Sequence, residues 1–517
     1  MSLLVLNHDT LQNLCTFLHG QDALHLALTC RTLYYAAIPR VPIFVHCRTP
    51  PQLCKLWHFT TSNLDQPPRI RSLTIDAKAF EIGNVPFRHR VCADYCEFLG
   101  DILETIRKLT HLRIDLSVIL AQDFRMGSII ASMTNLVHLE LYQFPKEAID
   151  ILRQLQSPVE SLHIDFRDTY VPLPPAEDFF AAVLELKSLR ALSIISPKPW
   201  GSFQLLPPVP PHAYLRSLVY SVPFNIPDCL RESCSRLETL VLCSTGTSVS
   251  GWLTEVPIPP LRHLVLTLSN LHFLVRLRLL TRVRYIHVYS DQGLTPDSEE
   301  LSRLAQCLQV VQPLGLHFCA SFKSQCSPWP QPVHELLPTL RCLSLGLLPD
   351  LDPAAEGKNR CAAFIEWLDN LPVCLSRFSL ISLRIHIPLL TRNPCTFETR
   401  ALSASGEDGE IKLDAAVAFR AAVRALPQRL AESSSTLRYV SLSAAYPTSM
   451  ENCRDAIYDC HDVPEPAYWW RIGDRREDGG SKVLIPITRE EGLRVWSAVL
   501  DAGDDAAVAD IIRRCSI

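Results

Sequence analysis

The chain has 517 residues, which exceeds the usual limit of a single hydrophobic core, so we expect several domains or a repeat array. Hydrophobic residues make up 47% and charged residues 20% of the chain, a balance typical of folded proteins and not of disordered ones. The formal net charge is −4 and no long basic run is present, so we predict neither nucleic acid nor a membrane as a partner.

The cysteines and the first residues indicate the compartment. Nineteen cysteines are scattered along the chain in an odd number, which is not typical of a disulfide framework. Asn7, His8 and Asp9 interrupt the apolar start, so we predict no secretory signal. No apolar stretch reaches the about 18 residues that a membrane span needs. These features predict an intracellular protein, in the cytoplasm and/or the nucleus, with reduced thiols.

The first forty residues are rich in leucine at helical spacing. They predict two or three short amphipathic helices before Pro39, with more apolar surface than so short a segment can bury alone. The segment must therefore pack against the rest of the chain or against another protein. The residues that we assign to packing or to partner binding are Leu6, Asp9, Leu11, Leu14, Leu18, Asp22, Leu24, Leu28 and Leu33.

After residue 68 an apolar-x-x-apolar-x-apolar pattern returns roughly every 22 to 30 residues, about thirteen times in all. Clear copies lie at residues 136–141 and 261–266, and weaker ones at 311–316 and 375–380. The last two apolar residues of each copy, spaced by two, lie on one face of a short strand. Stacked copies predict an α/β solenoid with parallel strands on the concave side and helices or irregular arcs outside.

The pattern also predicts the domain organisation. We expect a helical module at residues 1–45, a repeat solenoid at 46–445 and a C-terminal cap at 446–517. Two polar, turn-rich insertions are predicted within the solenoid, near residues 349–360 and 391–413.

The last seventy residues predict a hairpin followed by a helix. Residues 469–472 and 483–485 are apolar or aromatic and flank a glycine turn, which is typical of a β-hairpin. Thr488 and Glu491 form a capping-box pattern at the start of an amphipathic helix. We interpret this region as a cap on the repeat core; an aromatic patch that binds a partner is the alternative.

Enzyme motifs are largely missing, so we predict no enzyme and no cofactor. Two short clusters combine histidine with cysteine, but zinc sites usually bring Cys-x-x-Cys pairs and this chain has none. We therefore predict no metal site. The two clusters are His89, Cys92 and Cys96, and Cys453, Cys460 and His461.

The better candidate for function is the concave face of the predicted sheet. Residues interleaved with the apolar positions point away from the core, so we expect them to face solvent. Their histidine and tyrosine rings suit a protein or peptide target; ordinary solvated strand positions are the alternative. The candidate target-binding residues are His111, Arg113, His138, Tyr142, His163, His263, Tyr285, His287 and Tyr289.

The N-terminal segment resembles the F-box, and the repeats resemble leucine-rich repeats, as in the F-box families expanded in mushroom-forming fungi. The F-box pattern matches Leu6, Asp9 in the place of a family Glu, Asp22 followed by Leu24, and the final Cys30-Arg31. Asn7 stands where the family has proline. The repeats lack the family's regular asparagine, so we expect an irregular arc and not a regular horseshoe.

The resemblance implies a substrate-recognition subunit of an SCF-type cullin-RING ubiquitin ligase. The F-box would bind a Skp-type adaptor and through it the ligase core, while the repeats would bind an unidentified target protein. Such a subunit raises the effective concentration of the target and performs no bond chemistry itself. The alternative is a leucine-rich-repeat scaffold for protein interaction that has no role in ubiquitination.

Overall fold

The structure of the protein is a computed structural model, and its described part divides into two compact units. The N-terminal unit comprises residues 1–218 and 227–234, and the C-terminal unit comprises residues 219–226 and 235–517. The described residues are 6, 8–15, 20–37, 43–62, 70–80, 93–106, 108–166, 173–196, 215–221, 234, 236–242, 261–267, 283–289, 299–321, 337–348, 357–387, 409–443, 467–473, 482–502, 507 and 510.

The N-terminal unit begins with three short helices and continues with alternating strands and helices. Its helices are α1 (His8–Cys15), α2 (Gly20–Ala27), α3 (Arg31–Ala37), α4 (Pro50–Thr61), α5 (Ala93–Thr105), α6 (Leu116–Gln122), α7 (Arg125–Ser132), α8 (Ile149–Gln154) and α9 (Ala176–Leu184), with 3₁₀ turns at Ala77–Phe80 and Lys146–Ala148. Its strands are β1 (Ile43–Cys47), β2 (Ile70–Ile75), β3 (His111–Asp115), β4 (His138–Tyr142), β5 (Ser161–Asp165) and β6 (Ala191–Ile195). Each strand from β2 to β6 pairs in parallel with the one before it.

The C-terminal unit follows the same plan with longer helices, and strand β7 (Ser217–Ser221) spans the division between the units. Its further strands are β8 (Thr239–Leu242), β9 (His263–Thr267), β10 (Tyr285–Tyr289), β11 (Gly315–Ser321), β12 (Cys342–Leu348), β13 (Ser382–His386), β14 (Tyr439–Ser443), β15 (Ala467–Gly473) and β16 (Val483–Ile487). Its helices are α10 (Glu299–Val311), α11 (Gly357–Leu375), α12 (Gly409–Ser433) and α13 (Arg489–Asp501). Strands β8 to β14 pair in parallel, and β14, β15 and β16 pair antiparallel.

The α/β class and the parallel strands are thus confirmed, and pairing in sequence order within each unit is compatible with a repeat solenoid. The apolar pattern explains the strands because its alternate residues fill the core. In β4, for example, Leu139 and Leu141 are fully buried, and Leu136 anchors the preceding turn. Burying one such leucine contributes about 1.5–3 kcal/mol relative to exposure, before the entropy cost of ordering the chain.

Two weaker copies of the pattern do not coincide with the core residues of their strands. The copy at residues 311–316 includes the last residue of α10, whereas Leu316 and Phe318 are the core residues of β11. The copy at 375–380 begins with the last residue of α11, and Leu383 and Ile385 fill the core of β13. The error has a physical cause, because the last apolar residue of a buried helix resembles the turn residue of a repeat.

A helix begins within each of the two predicted insertions. Helix α11 begins at Gly357, within the segment 349–360, and helix α12 begins at Gly409, within the segment 391–413. The other residues of both segments lie outside the described part. Both helices begin with a glycine, so local sequence favoured a loop there.

The C-terminal hairpin and helix have the predicted form. Strands β15 and β16 pair antiparallel, and the Thr488 hydroxyl accepts the Glu491 backbone N–H, 3.2 Å away, at the start of α13. The edge strand β16 carries Pro486 at a tolerable position. The Ile472 N–H donates to the Arg438 carbonyl, so the backbone groups of Ile472 and Trp470 point toward β14. Pro486 lies opposite Trp470, so its ring nitrogen points away from β15 and no hydrogen bond of the sheet is lost.

Candidate interaction surfaces

The first candidate surface lies on helices α1 to α3. Their buried side chains form a small core of their own, and Leu6, Leu26 and Cys30 pack partly buried against it. These helices therefore bury apolar residues against one another. The core consists of Leu11, Cys15, Ala27, Leu33, Ala36 and Ala37.

The same helices expose large apolar side chains. Leu28 is 72% exposed and Leu14 is 43% exposed, and Tyr34 and Tyr35 are exposed as well. The guanidinium of Arg31 lies 5.9 Å from the centroid of the Tyr35 ring. A single exposed leucine needs no explanation, but four such large side chains on α1, on α3 and in the turn after α2, where Leu28 lies, are typical of a surface that binds another protein.

The structure distinguishes packing residues from exposed ones among the N-terminal residues that the sequence assigned to either role. Leu11 and Leu33 belong to the core of the three helices, whereas Leu14 and Leu28 face solvent. Asp9 and Asp22 are exposed in the first turns of α1 and α2, where the helix dipole favours negative charge. Leu18 and the side chain of Leu24 lie outside the described part.

The second candidate surface is the polar face of the N-terminal sheet, opposite the leucine face. Strand register aligns its side chains in two rows across β1 to β6. The first row consists of Phe44, Ser72, His111, His138, Ser161 and Ala191, and the second row of His46, Thr74, Arg113, Glu140, His163 and Ser193.

Two neighbouring histidines of the first row stack on each other. The ring centroids of His111 and His138 are 4.2 Å apart with an interplanar angle of 15°. Partial burial lowers the pKa of both imidazoles, and the proximity of His138 lowers the pKa of His111 further, against the opposing effect of Glu140. Both rings are therefore mainly neutral at pH 7, so the pair offers a stacking surface without charge.

The charged groups beside this pair are matched with one another. Arg113 Nε lies 3.9 Å from Glu140 Oε2, and the Arg113 guanidinium lies 4.7 Å from the centroid of the Tyr142 ring. The Tyr142 hydroxyl donates to Glu140 Oε2 at 3.2 Å. At the start of the second row, on β1, His46 Nε2 lies 3.0 Å from Asp76 Oδ2. The two rows are thus polar, and Arg113 and Glu140 balance each other in charge.

The N-terminal face closes toward β5 and β6. His163 is only 2% exposed, and its Nδ1 lies 2.7 Å from Ser193 Oγ. Asp165 is buried as well. The expectation that His163 projects into solvent is therefore wrong, whereas His111 and Arg113 are exposed and His138 and Tyr142 are partly exposed.

In the C-terminal unit the corresponding face is covered by helix α13. A Cβ atom on Gly315 of β11 would overlap Leu500 of α13 and Tyr285 of β10, and one on Gly492 would overlap the Trp469 ring. The Tyr285 and Trp496 rings meet edge to face at 6.3 Å. The apolar cluster beneath the helix comprises Cys342, Ile381, Tyr439, Trp469, Leu493, Val495, Trp496, Val499, Leu500 and Ala502.

Polar contacts hold the end of this helix to the same face. The carboxylate of Asp501 forms an ion pair with Arg262, and its backbone carbonyl accepts from Arg284 Nη1 at 2.8 Å. His263 is mostly buried nearby, and burial lowers its pKa. Tyr285 packs against the helix, so neither of these predicted target-binding residues lies on an open face. The side chain of Tyr289 lies outside the described part.

A chain of histidines and serines continues across the buried face. His317 Nδ1 lies 2.7 Å from Ser344 Oγ, which lies 3.0 Å from His386 Nε2, and His386 Nδ1 lies 2.6 Å from Ser443 Oγ. The His287 and His317 ring centroids are 4.0 Å apart. Burial lowers the pKa of His287 to about 4 and that of His317 well below its ordinary value.

These contacts correct the expectation for His287. It is 5% exposed and packs against the His317 ring, in the row next to the one that α13 covers. Two features of these faces were not predicted from the sequence, the exposure of Phe44 on the open face and the position of α13 over the closed one. Phe44 precedes the first recognised repeat, and the predicted C-terminal cap gave no indication of which face it covers.

Within the described ranges, no group of three or more His, Cys, Asp or Glu side chains has the arrangement of a metal site. Of the two histidine–cysteine clusters, Cys96 is buried in α5, and the other five residues lie outside the described part. Among the helices that the structure describes, none has the length and apolar character needed to cross a membrane.

Comparison with known proteins adds no family assignment. No known protein family matches the sequence, and no curated protein is significantly similar to it.

Proposed function

We propose that this chain is the substrate-recognition subunit of an SCF-type cullin-RING ubiquitin ligase, acting in the cytoplasm and/or the nucleus. In this proposal helices α1 to α3 bind a Skp-type adaptor, and the repeat region binds the target protein. The chain performs no chemistry itself and brings target lysines close to a ubiquitin-loaded enzyme.

One observation supports the proposal most. The segment of α1 to α3 forms its own core and still exposes Leu14, Leu28 in the turn after α2, and two tyrosines. A segment that only capped the repeats would turn its largest apolar side chains toward the sheet, because their burial there is worth about 1.5–3 kcal/mol each. The F-box pattern carried by Leu6, Asp9, Asp22 and Cys30-Arg31 gives the second, independent support.

Co-purification of the full chain with a recombinant Skp-type adaptor tests the proposal. Leu28→Ser should weaken adaptor binding about tenfold or more, because it removes an exposed apolar contact. The same change should alter the stability of the free chain by less than about 0.5 kcal/mol, since Leu28 is 72% exposed. Isothermal titration calorimetry measures the affinity and urea unfolding the stability.

Phe124→Ser is the matched control, because Phe124 is 89% exposed on the N-terminal unit but lies outside α1 to α3. If the folded wild-type chain does not bind the adaptor at micromolar concentration, the ligase proposal fails. The alternative, a repeat scaffold with no role in ubiquitination, then becomes the better description.

A further inference from the structure

We propose that the target protein binds to one part of the N-terminal sheet, here called the N-terminal patch, which carries Phe44, His46, His111, Arg113 and His138. The segment of the target that binds there is extended and uncharged, with aromatic or aliphatic side chains. This inference rests on the proposed function, because only that function makes the bound segment part of a ubiquitination target. The C-terminal unit does not contribute an equivalent face, since α13 occupies it.

Exposure gives the first argument. Phe44 is 70% exposed on β1, although a phenylalanine is one of the side chains that proteins most often bury. His111 and Arg113 on β3 are exposed too, and His138 on β4 is partly exposed. On β5 and β6, by contrast, His163 is buried. The second row is therefore closed at β5 and β6, where only the small first-row residues Ser161 and Ala191 stay partly exposed, so the large accessible side chains of the face lie on the first four strands.

Geometry gives the second argument. Phe44, Ser72, His111 and His138 are in register on adjacent strands, which lie about 4.8 Å apart. They form a strip roughly 14 Å long, or about four residues of an extended segment. Ser72, in register between Phe44 and the stacked histidines, is the smallest side chain of the strip. Aromatic or aliphatic side chains of a target fit such a strip, because flat rings provide apolar contact area.

Charge gives the third argument, and it decides between classes of target. Arg113 of the patch is paired with Glu140 on the next strand, and Asp76, beside His46, also lies 4.0 Å from Arg48 Nε. A strongly basic or acidic segment would have to compete with these pairs and lose part of its own hydration. An uncharged segment incurs neither cost, so the patch favours it over a charged one.

Fluorescence anisotropy with labelled ten-residue peptides tests this inference on the full chain at pH 7.5. Three peptides share a Gly/Ser framework and carry Phe and Leu, Lys, or Glu at the same alternate positions. We expect the Phe/Leu peptide to bind about tenfold or more tightly than either charged peptide. Tighter binding of the Lys or Glu peptide, or no difference among the three, would overturn the inference.

Matched variants localise the binding. Phe44→Ser should weaken binding of the Phe/Leu peptide about tenfold, and His138→Ser should weaken it by a smaller factor. Phe124→Ser removes an even more exposed ring, 89% against 70% for Phe44, from outside the patch and should leave the affinity unchanged. Equal losses in Phe44→Ser and Phe124→Ser would indicate non-specific apolar binding and would overturn the inference.

Two further measurements separate the possible failures. Phe44→Ser should retain full adaptor affinity, so a chain that binds the adaptor but not the Phe/Leu peptide refutes the patch and leaves the ligase proposal standing. A chain that binds the Phe/Leu peptide but not the adaptor refutes the ligase proposal and leaves the N-terminal patch standing as a peptide-binding surface. Sedimentation velocity detects a second copy as occupant; a dimer that Phe44→Ser dissociates would overturn the assignment to a target segment.

Discussion

The polar faces of β1 to β4 and of β10 to β14 come from the same repeat pattern but have opposite environments. On the first, Phe44 and Arg113 are exposed and the charges form partly hydrated pairs. On the second, His317 is buried in a network with serines, His287 packs buried against its ring, and α13 covers the adjoining row. Strand register alone therefore does not create a binding surface, and what packs over the face decides whether it is accessible.

The difference also assigns different roles to similar residues. The stacked pair His111 and His138 remains partly accessible and suits recognition, whereas the pair His287 and His317 is enclosed and contributes to the fold. The chemistry of an imidazole is the same in both places. Burial changes its protonation and its access to a partner, and so changes what it can do.

The largest effect is expected from removing the main aromatic anchor of α13. Trp496→Ala should destabilise the C-terminal unit by about 3–5 kcal/mol, because a large ring that is 5% exposed leaves a cavity. Urea unfolding followed by tryptophan fluorescence and circular dichroism measures this loss. Arg494→Ala, on the exposed side of the same helix, should cost less than about 0.5 kcal/mol. Similar costs for both variants would mean that α13 does not seal the face.

An intermediate effect is expected from acidification, which should act on the closed face through His287. The pKa of this imidazole is about 4 in the folded chain and near 6.5 when unfolded, so between these pH values the unfolded state binds more protons. Stability is therefore fully present above pH 6.5 and is lost as the pH falls toward 4, with a slope of up to about 1.4 kcal/mol per pH unit from this one group.

Urea midpoints at pH 7.5, 6.5, 5.5 and 4.5 measure this dependence. His287→Gln removes the titrating group and should make the stability of the C-terminal unit less dependent on pH across that window. A variant with the same pH dependence as the wild type would show that His287 is accessible to protons in the folded state.

The smallest effect is expected from replacing Gly492 in α13. Gly492→Ala should destabilise the chain by about 1–3 kcal/mol, because the added methyl group overlaps the Trp469 ring beneath α13. Gly127→Ala in α7 is the matched control, since its nearest neighbour would be Ile151 at an ordinary 3.5 Å. That change should stabilise by up to about 1 kcal/mol through helix propensity. Thermal unfolding compares the two variants, and stabilisation by both would contradict close packing of α13.

Much of the core could be predicted from the sequence because its signal is local. An apolar residue at every second position identifies the buried side of a strand, as Leu139 and Leu141 illustrate. The capping pair Thr488 and Glu491 likewise identified the start of α13. The pattern failed where a helix ended directly before a strand, and at β1, which precedes the regular repeats.

The accessibility of the polar faces could not be predicted because it depends on contacts distant in sequence. Arg284 and Asp501 are separated by 217 residues, yet their hydrogen bond helps to hold α13 across the C-terminal face. Nothing near His287 in the sequence distinguishes it from His111, since both alternate with core residues on short strands.

The sequence by itself determined which side of each strand faces the core, because that depends on residues two positions apart. It also determined that the first forty residues carry surplus apolar surface. Only the tertiary structure decided that Leu14 and Leu28 remain exposed and that the polar face stays accessible at β1 to β4 but not beneath α13. Water is excluded by whatever element packs above a face, and that element can come from anywhere in the chain.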